Sequence, residues 1–317
     1  MWKYKSDQHI YRKNIFFLVI FIFAALYLID KCLFWVGREI ISYSSYRYTS
    51  FYEKRFQEKD KINVVVIGNS RADQDFPRYE YNGKKYLNLG NSWLGVPVSS
   101  ATALDVLKYQ IPPEFLIIET AFFDYQGTGR AYGAIQNIFS DAVEDASLLD
   151  STNFERHARK IFYVLRFNEN DLINALVRMM IPDTRNIASY DRIINDDLKK
   201  RALSEGRTIN LRARNKVTLL NLIEKYKQAN VTVYLVSTPM HPVGIESYSN
   251  LSDFLFDVDR LAQQAGIRHI NLTDIYSADR LFSDTTHLNS FGQKRFLKTF
   301  DNCFLQSNPK ASCNWDQ

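Results

Sequence analysis

Short apolar runs that end in glycine, asparagine or serine alternate along the chain with segments whose apolar residues recur at helical spacing. In the clearest run, residues 64–67 are four β-branched residues, and the run stops at Gly68, Asn69 and Ser70. Strands buried on both faces of a parallel sheet have this composition. Further runs of this kind occur at 85–91, 115–119, 231–236 and 269–272. The pattern predicts five strands.

Helical spacing of apolar residues predicts helices between these strands, at 98–109, 217–228 and 251–265. Asn289 is a good N-cap for a last helix at 290–304. From about 130 to 214 the alternation lapses, and apolar segments there predict a helical insertion. The order of elements predicts an α/β fold with a doubly wound, mainly parallel sheet.

The N-terminal region predicts a transmembrane helix at 14–36, which is apolar apart from Asn14, Asp30 and Lys31. A bilayer core needs about 20 helical residues, so this stretch is long enough. Asp30 either marks the end of the buried part or pairs with Lys31. A cleaved signal peptide is the alternative, but the stretch is long and no Ala-x-Ala-like site follows it.

Charge predicts the orientation of this helix. Lys3, Lys5, Arg12 and Lys13 precede it and only Asp7 opposes them, so the N-terminus is expected to stay in the cytoplasm. The remainder of the chain would then face the periplasm or the cell exterior.

We therefore divide the chain into a cytoplasmic N-terminus (1–13), an anchor (14–36), a stalk (37–61), an α/β domain (62–305) and a tail (306–317).

Composition narrows the function classes. The chain has 317 residues, is 46% hydrophobic and carries a net charge of +5. It has no basic arm and no basic stripe interleaved with aromatic residues, which argues against nucleic-acid binding. Cys303 and Cys313 lie close together, and an oxidising compartment would favour a disulfide between them, two free thiols being the alternative. No Cys/His cluster has the spacing of zinc ligands, and no cofactor is expected.

Candidate chemistry comes from two distant motifs. Ser70 follows the first predicted strand, at the sheet edge where α/β proteins bind ligands. The spacing of Asp284 and His287 allows the carboxylate to orient the imidazole while the other ring nitrogen faces a serine. Ser70 is thus a candidate nucleophile, His287 its base and Asp284 the group that orients the base. The competing interpretation is that Ser70 only caps a helix.

His241 is a rival base because it lies in a loop after a core strand, at the same edge of the sheet. It could equally be a surface loop histidine before a proline, and we favour that interpretation.

Three blocks together resemble the SGNH, or GDSL-like, hydrolase superfamily: Gly68-Asn69-Ser70, Leu89-Gly90-Asn91, and Asp284 with His287 before the last helix. Their order and spacing are similar to that family across most of 63–304. The resemblance implies a three-layer α/β/α fold with Ser70, His287 and Asp284 as catalytic triad. It also implies an oxyanion hole formed by the backbone amides of Ser70 and Gly90.

The chain departs from the family pattern in two places. Asn69 stands where the family often has Asp, a change that turn geometry tolerates. An Asn that normally follows the third strand and donates to the oxyanion is absent; Glu119 and Thr120 stand there instead. Loss of such a donor costs about 2.7–4 kcal/mol of transition-state stabilisation if nothing replaces it. Thr120 is a candidate substitute, and we treat Asn91, Thr120 and His241 as candidate substrate-binding residues.

Members of this superfamily that have a membrane anchor and a weakened third block are similar to O-acetyltransferases of exopolysaccharides and to the D-alanylation protein of teichoic acids. Those proteins work beside a membrane-bound O-acyltransferase. We therefore expect a membrane-anchored, extracytoplasmic serine acyltransferase or esterase acting on a cell-envelope polysaccharide. Its expected partners are that polymer or another acyl acceptor, membrane lipid and a membrane-bound O-acyltransferase. The alternatives are a non-catalytic polysaccharide assembly or binding protein on the same scaffold, and a lipid-proximal esterase.

Overall fold

The structure is a computed structural model that describes residues 3–43, 62–77, 80–90, 95–109, 111–124, 158, 161 and 192–305. In the first range, side chains are described for 14–36. The segment from 125 to 191, which holds most of the predicted insertion, lies outside the described residues apart from Ala158 and Ile161.

A six-stranded sheet forms the centre of the α/β domain, with strand order β2-β3-β1-β4-β5-β6. The strands are β1 (Val64–Ile67), β2 (Glu80–Tyr81), β3 (Lys84–Asn88), β4 (Phe115–Glu119), β5 (Thr232–Ser237) and β6 (Arg268–Asn271). All neighbouring strands are parallel except β2 and β3. The prediction of a mainly parallel sheet is confirmed.

The described residues form eight α-helices. They are α1 (Lys3–Tyr43), α2 (Ser70–Asp75), α3 (Val96–Tyr109), α4 (Asp196–Glu205), α5 (Ala213–Gln228), α6 (Pro242–Glu246), α7 (Leu251–Ala265) and α8 (Ser290–Phe304). Short 3-10 turns lie at Thr120–Phe122 and Asp279–Leu281. Helices α7 and α8 have the predicted bounds, and α8 has the predicted cap, since Asn289 accepts hydrogen bonds from two backbone amides of its first turn.

Helices pack on both faces of the sheet because alternate residues of each buried strand point to opposite sides. Val65 and Ile67 belong to a core that includes side chains of α3, α5 and α7. Val64 and Val66 belong to a second core with Phe76, Phe296 and Phe300, whose rings meet edge to face or tilted. Two apolar faces explain why these strands are apolar throughout rather than alternating.

Strand β2 and the hairpin that joins it to β3 were not predicted. The turn residues Asn82 and Gly83 both have positive φ, 50° and 74°. Two-residue hairpin turns of type I′ require this conformation and favour Asn-Gly. The Asn-Gly pair was therefore a usable signal, but β2 is only two residues long and gives no apolar run.

Helix α1 includes a stretch, Asn14–Val36, that is long and apolar enough to cross a membrane, with a mean hydropathy of 2.3. Its apolar side chains are exposed, as expected of a helix that faces lipid. Lys31 Nζ lies 3.6 Å from Asp30 Oδ2, so the pairing considered from the sequence is present.

Candidate active site

Ser70 is the first residue of α2, directly beyond the carboxyl end of β1. The N-cap of α2 is Asn69, whose side chain accepts a hydrogen bond from the Arg71 N–H at 2.9 Å. Ser70 therefore does not cap the helix, contrary to the alternative interpretation of the sequence. Its hydroxyl is left free for another partner, and its N–H is among those at a helix N-terminus that have no intrahelical acceptor.

Two glycines allow the first turn of α2 to lie close to the strand ends. A Cβ at Gly68 would come within 2.7 Å of Ala72 Cβ and 2.8 Å of Glu119 Cβ. A Cβ at Gly90 would likewise meet Ala72 Cβ at 2.7 Å. Both distances are below any contact that carbon atoms adopt, so the position of Ser70 depends on the absence of side chains at both glycines.

The loop that carries Asp284 and His287 is held at both ends. Phe282 and Leu288 form an antiparallel bridge, and the Ser283 N–H donates to the His287 carbonyl at 2.9 Å. Within the loop, Asp284 Oδ1 accepts backbone N–H bonds from Thr286 at 2.8 Å and His287 at 3.0 Å. The carboxylate thus organises the turn that also presents the imidazole.

The structure brings the three predicted residues together. Ser70 Oγ lies 2.8 Å from His287 Nε2, and His287 Nδ1 lies 2.8 Å from Asp284 Oδ2 and 3.0 Å from Oδ1. Because a carboxylate only accepts hydrogen bonds, Nδ1 carries the proton and Nε2 accepts from the serine hydroxyl. This is the arrangement in which a histidine can remove the proton of a nucleophilic serine.

Asp284 is an acceptor at neutral pH for electrostatic reasons. Burial alone would raise its pKa, but hydrogen bonds from His287 and from the backbone of Thr286 and His287 outweigh burial and hold the pKa well below its usual value. Arg192 Nη2 adds a positive charge 3.8 Å from Oδ2. The carboxylate can therefore stabilise a histidine that has taken up the serine proton.

Ser70 and His287 open onto a cleft whose described lining includes both polar and apolar side chains. Its volume is about 110 Å³. Thr120, directly after β4, and Ser237, at the end of β5, contribute hydroxyl groups. The apolar residues of the described lining include Ile209, Met240, Leu251, Phe254 and Leu255. The cleft can hold a small apolar group next to Ser70.

One of the two backbone amides expected to form an oxyanion hole already has a hydrogen-bond acceptor. The Gly90 N–H donates to Asn88 Oδ1 at 2.9 Å, and the Asn88 amide group donates to the carbonyls of Ala72 and Phe76. The Gly90 N–H is therefore already in use, which disagrees with the role that the family resemblance gives it. The N–H of Ser70 is the remaining expected donor.

A buried charge cluster begins at Arg71, the residue after Ser70. Arg71 Nε donates to Thr238 Oγ1 at 3.0 Å, its Nη2 donates to the Thr238 carbonyl, and Nε lies 3.7 Å from Glu119 Oε1. Glu119 and Asp75 are both fully buried. One positive charge thus faces two carboxyl groups, and burial raises the pKa of both while Arg71 lowers it.

Asp75 makes the stability of the fold depend on pH, because burial raises the pKa of its carboxyl group from 3.8 to about 7. Below pH ~4 the folded and the unfolded chain both hold this proton. Between pH ~4 and ~7 only the folded chain holds it, so stability is lost as pH rises, by about 1.4 kcal/mol per unit. We expect Asp75→Asn to remove this part of the pH dependence, measured by urea unfolding of the full-length protein in detergent micelles at pH 5 and 8.

The matched control for this prediction is Asp257→Asn on the exposed face of α7, which should leave the pH dependence unchanged. If the slope for Asp75→Asn equals that of the wild type, Asp75 does not hold the proton.

Other candidate residues lie elsewhere. His241 is buried and caps α6: its Nδ1 accepts from the Val243 N–H at 3.2 Å, and its Nε2 donates to Asp279 Oδ1 at 2.8 Å. Both ring nitrogens serve the fold, and His241 is not among the described residues that line the cleft. The interpretation of His241 as an exposed loop residue is also wrong, because it is 4% exposed.

Asn91 and Cys313 lie outside the described residues. Cys303 is buried in α8 and is disulfide-bonded; its pairing with Cys313 stays a prediction.

The sequence indicated an ion pair of Arg71 near the turn, and its partner is Glu119. Sequence reasoning missed two other polar residues of the site, Asp75 and Ser237. Ser237 is the last residue of β5, and that position was the available signal. Asp75 lies at the end of α2, eight residues beyond β1, where no such signal marks it. Within the described ranges, no group of three or more His, Cys, Asp or Glu side chains could hold a metal ion.

Comparison with models of known protein families finds no match for this chain, and comparison with curated proteins finds none either.

Proposed function

We propose that the protein is a serine acyltransferase or esterase that forms an acyl-enzyme on Ser70. The observation that carries this proposal is the hydrogen-bonded series Ser70, His287 and Asp284, with distances of 2.8 Å at both steps. In the first half-reaction the Ser70 oxygen bonds to the acyl carbon while its proton passes to His287 Nε2. The donor's alcohol then leaves with that proton.

Two features support action at a membrane. Helix α1 includes a stretch long and apolar enough to anchor the chain, and the charges before that stretch favour a cytoplasmic N-terminus. The α/β domain would then work outside the cytoplasm, on a cell-envelope polysaccharide, beside a membrane-bound O-acyltransferase that supplies the acyl group.

The size of the cleft supports a short acyl group. A cleft volume of about 110 Å³ beside Ser70 accommodates an acetyl group, the group that O-acetylation or deacetylation of a polysaccharide requires.

The test is covalent labelling with a fluorophosphonate, which reacts with activated serines. We expect the full-length protein in detergent micelles to be labelled and Ser70→Ala to lose the label. Ser252→Ala, an exposed serine of α7, is the matched control and should label like the wild type.

A second candidate is a polysaccharide-binding protein that keeps the scaffold without turnover. It is favoured by the engagement of the Gly90 N–H with Asn88 and by the absence of an Asn after β4. If the folded wild type takes up no label, this candidate replaces the acyltransferase.

A further inference from the structure

A second series of hydrogen-bonded polar side chains, here called the second chain, reaches the same cleft and does not include Ser70, His287 or Asp284. Thr120 Oγ1 lies 2.7 Å from Ser237 Oγ, which lies 2.9 Å from His269 Nε2. His269 Nδ1 lies 2.7 Å from Asp259 Oδ1 on α7. The chain therefore runs from the cleft, through the ends of β4 and β5, to an aspartate that is half exposed to solvent.

The donor and the acceptor of each hydrogen bond in the second chain can be assigned from the chemistry of Asp259 and His269. The Asp259 carboxylate only accepts, so His269 Nδ1 carries a proton and donates it. Burial lowers the pKa of His269, so the ring is neutral and its Nε2 accepts. Ser237 must then donate to His269, and Thr120 must donate to Ser237. Thr120 consequently presents only oxygen lone pairs to the cleft.

This polarity changes the role considered for Thr120. A hydroxyl whose proton is already donated cannot stabilise an oxyanion, so Thr120 does not replace the missing asparagine. It can instead accept a hydrogen bond from a group that enters the cleft. Since Thr120 and Ser237 are each 2% exposed, only a small group at the floor of the cleft can reach them.

Ser237, His269 and Asp259 repeat the atom pattern of the catalytic triad, but a second nucleophile is not the best explanation. Ser237 Oγ already donates to His269 and accepts from Thr120. Ser70 is more exposed, and its hydroxyl contacts only His287 among the described residues. The second chain is better suited to fixing the orientation of a hydroxyl group.

We propose that Thr120 is a specificity-determining residue that accepts a hydrogen bond from a second hydroxyl of the acyl acceptor, and that Ser237, His269 and Asp259 are positioning residues that keep it an acceptor. The inference rests on the proposed function, because it concerns the second half-reaction. The substrate class it favours is vicinal diols, the unit from which sugars are built.

The number of hydroxyl protons on the acyl acceptor is the reason for favouring vicinal diols. In the second half-reaction the acceptor oxygen bonds to the acyl carbon, the bond from Ser70 Oγ to that carbon breaks, and the acceptor proton passes through His287 to Ser70. A simple alcohol has one hydroxyl proton, and His287 takes it. A vicinal diol has a second hydroxyl group, which can donate a hydrogen bond to Thr120 Oγ1 and keep its own proton while the first hydroxyl attacks.

The experiment compares two small acceptors of similar size, ethylene glycol and 2-methoxyethanol, with p-nitrophenyl acetate as donor. The second acceptor has an ether oxygen where the first has a hydroxyl. For full-length protein in detergent micelles we expect acetyl transfer to ethylene glycol to exceed transfer to 2-methoxyethanol about five- to tenfold per attacking hydroxyl, the range of one hydrogen bond.

Variants separate positioning from structure. Thr120→Val should abolish the preference for ethylene glycol over 2-methoxyethanol, and Thr120→Ser should retain it. Asp259→Ala frees His269 to donate from Nε2, which reverses the chain, so it should lower the preference at least threefold. Asp257→Ala, exposed on the same helix, is the matched control and should leave it unchanged.

The outcomes are distinguishable. If Ser70-dependent turnover occurs but the wild type shows no diol preference, or if Thr120→Val keeps it, the role of Thr120 is overturned and the proposed function stands. If the protein shows neither Ser70-dependent turnover of p-nitrophenyl acetate nor Ser70-dependent labelling by the fluorophosphonate, both proposals fail.

Discussion

Replacing His287 with alanine is expected to lower ester turnover by about 10⁴- to 10⁶-fold, the range seen when serine nucleophiles lose their base. Without the imidazole, nothing among the described residues accepts the Ser70 proton, since His287 Nε2 is its partner at 2.8 Å. The measurement is the initial rate of p-nitrophenyl acetate hydrolysis by full-length protein in detergent micelles.

The double variant sharpens this expectation. Residues that act as one unit are not additive, so Ser70→Ala combined with His287→Ala should be no slower than either single variant. A further large loss in the double variant would mean that the two residues act independently, and the triad assignment would fall.

Replacing Arg71 with methionine is expected to destabilise the fold by about 3–5 kcal/mol, the cost of removing one partner from a buried ion pair. Glu119 is fully buried, and Arg71 is the positive charge 3.7 Å from its carboxylate. Arg71 also donates two hydrogen bonds to Thr238, which keeps the loop after β5 next to α2. The measurement is urea unfolding at pH 8.

Two comparisons test the electrostatic origin of this loss. Arg71→Met combined with Glu119→Gln should cost less than the two single changes added together, because neither charge is left alone. Arg280→Met, at an exposed position, should change stability by less than about 0.5 kcal/mol. If Arg71→Met costs less than about 1 kcal/mol at pH 8, the buried pair does not carry the stability assigned to it.

The core strands could be predicted from sequence because they are apolar on both faces. Strand β4 lies at the predicted residues, and β1 lies within the predicted run. Strand β2 could not be found this way, since its two residues are partly exposed and its place depends on a turn. Apolar patterning indicates burial, and the side chains of a strand at the edge of a sheet are less buried than those of a central strand.

The triad was predictable because serine, histidine and aspartate in those positions have few other combined uses. The polar residues around the triad were harder to predict, because their roles depend on contacts with distant segments of the chain. Asn88 occupies the Gly90 N–H only because α2 returns over the end of β3. The cap formed by His241 likewise requires the contact with Asp279, 38 residues away.

The strand order places the nucleophile and its base in different halves of the chain. Ser70 and His287 are 217 residues apart, and the hydroxyls of Thr120 and Ser237 are 117 residues apart. Parallel pairing across such distances costs loop entropy before any contact is gained, so it forms late in folding. A nascent or partly folded chain therefore lacks the hydrogen bond between Ser70 and His287, because His287 follows β6, the last strand to join the sheet. Under the proposed function, the reactivity of Ser70 would thus appear only when folding is nearly complete.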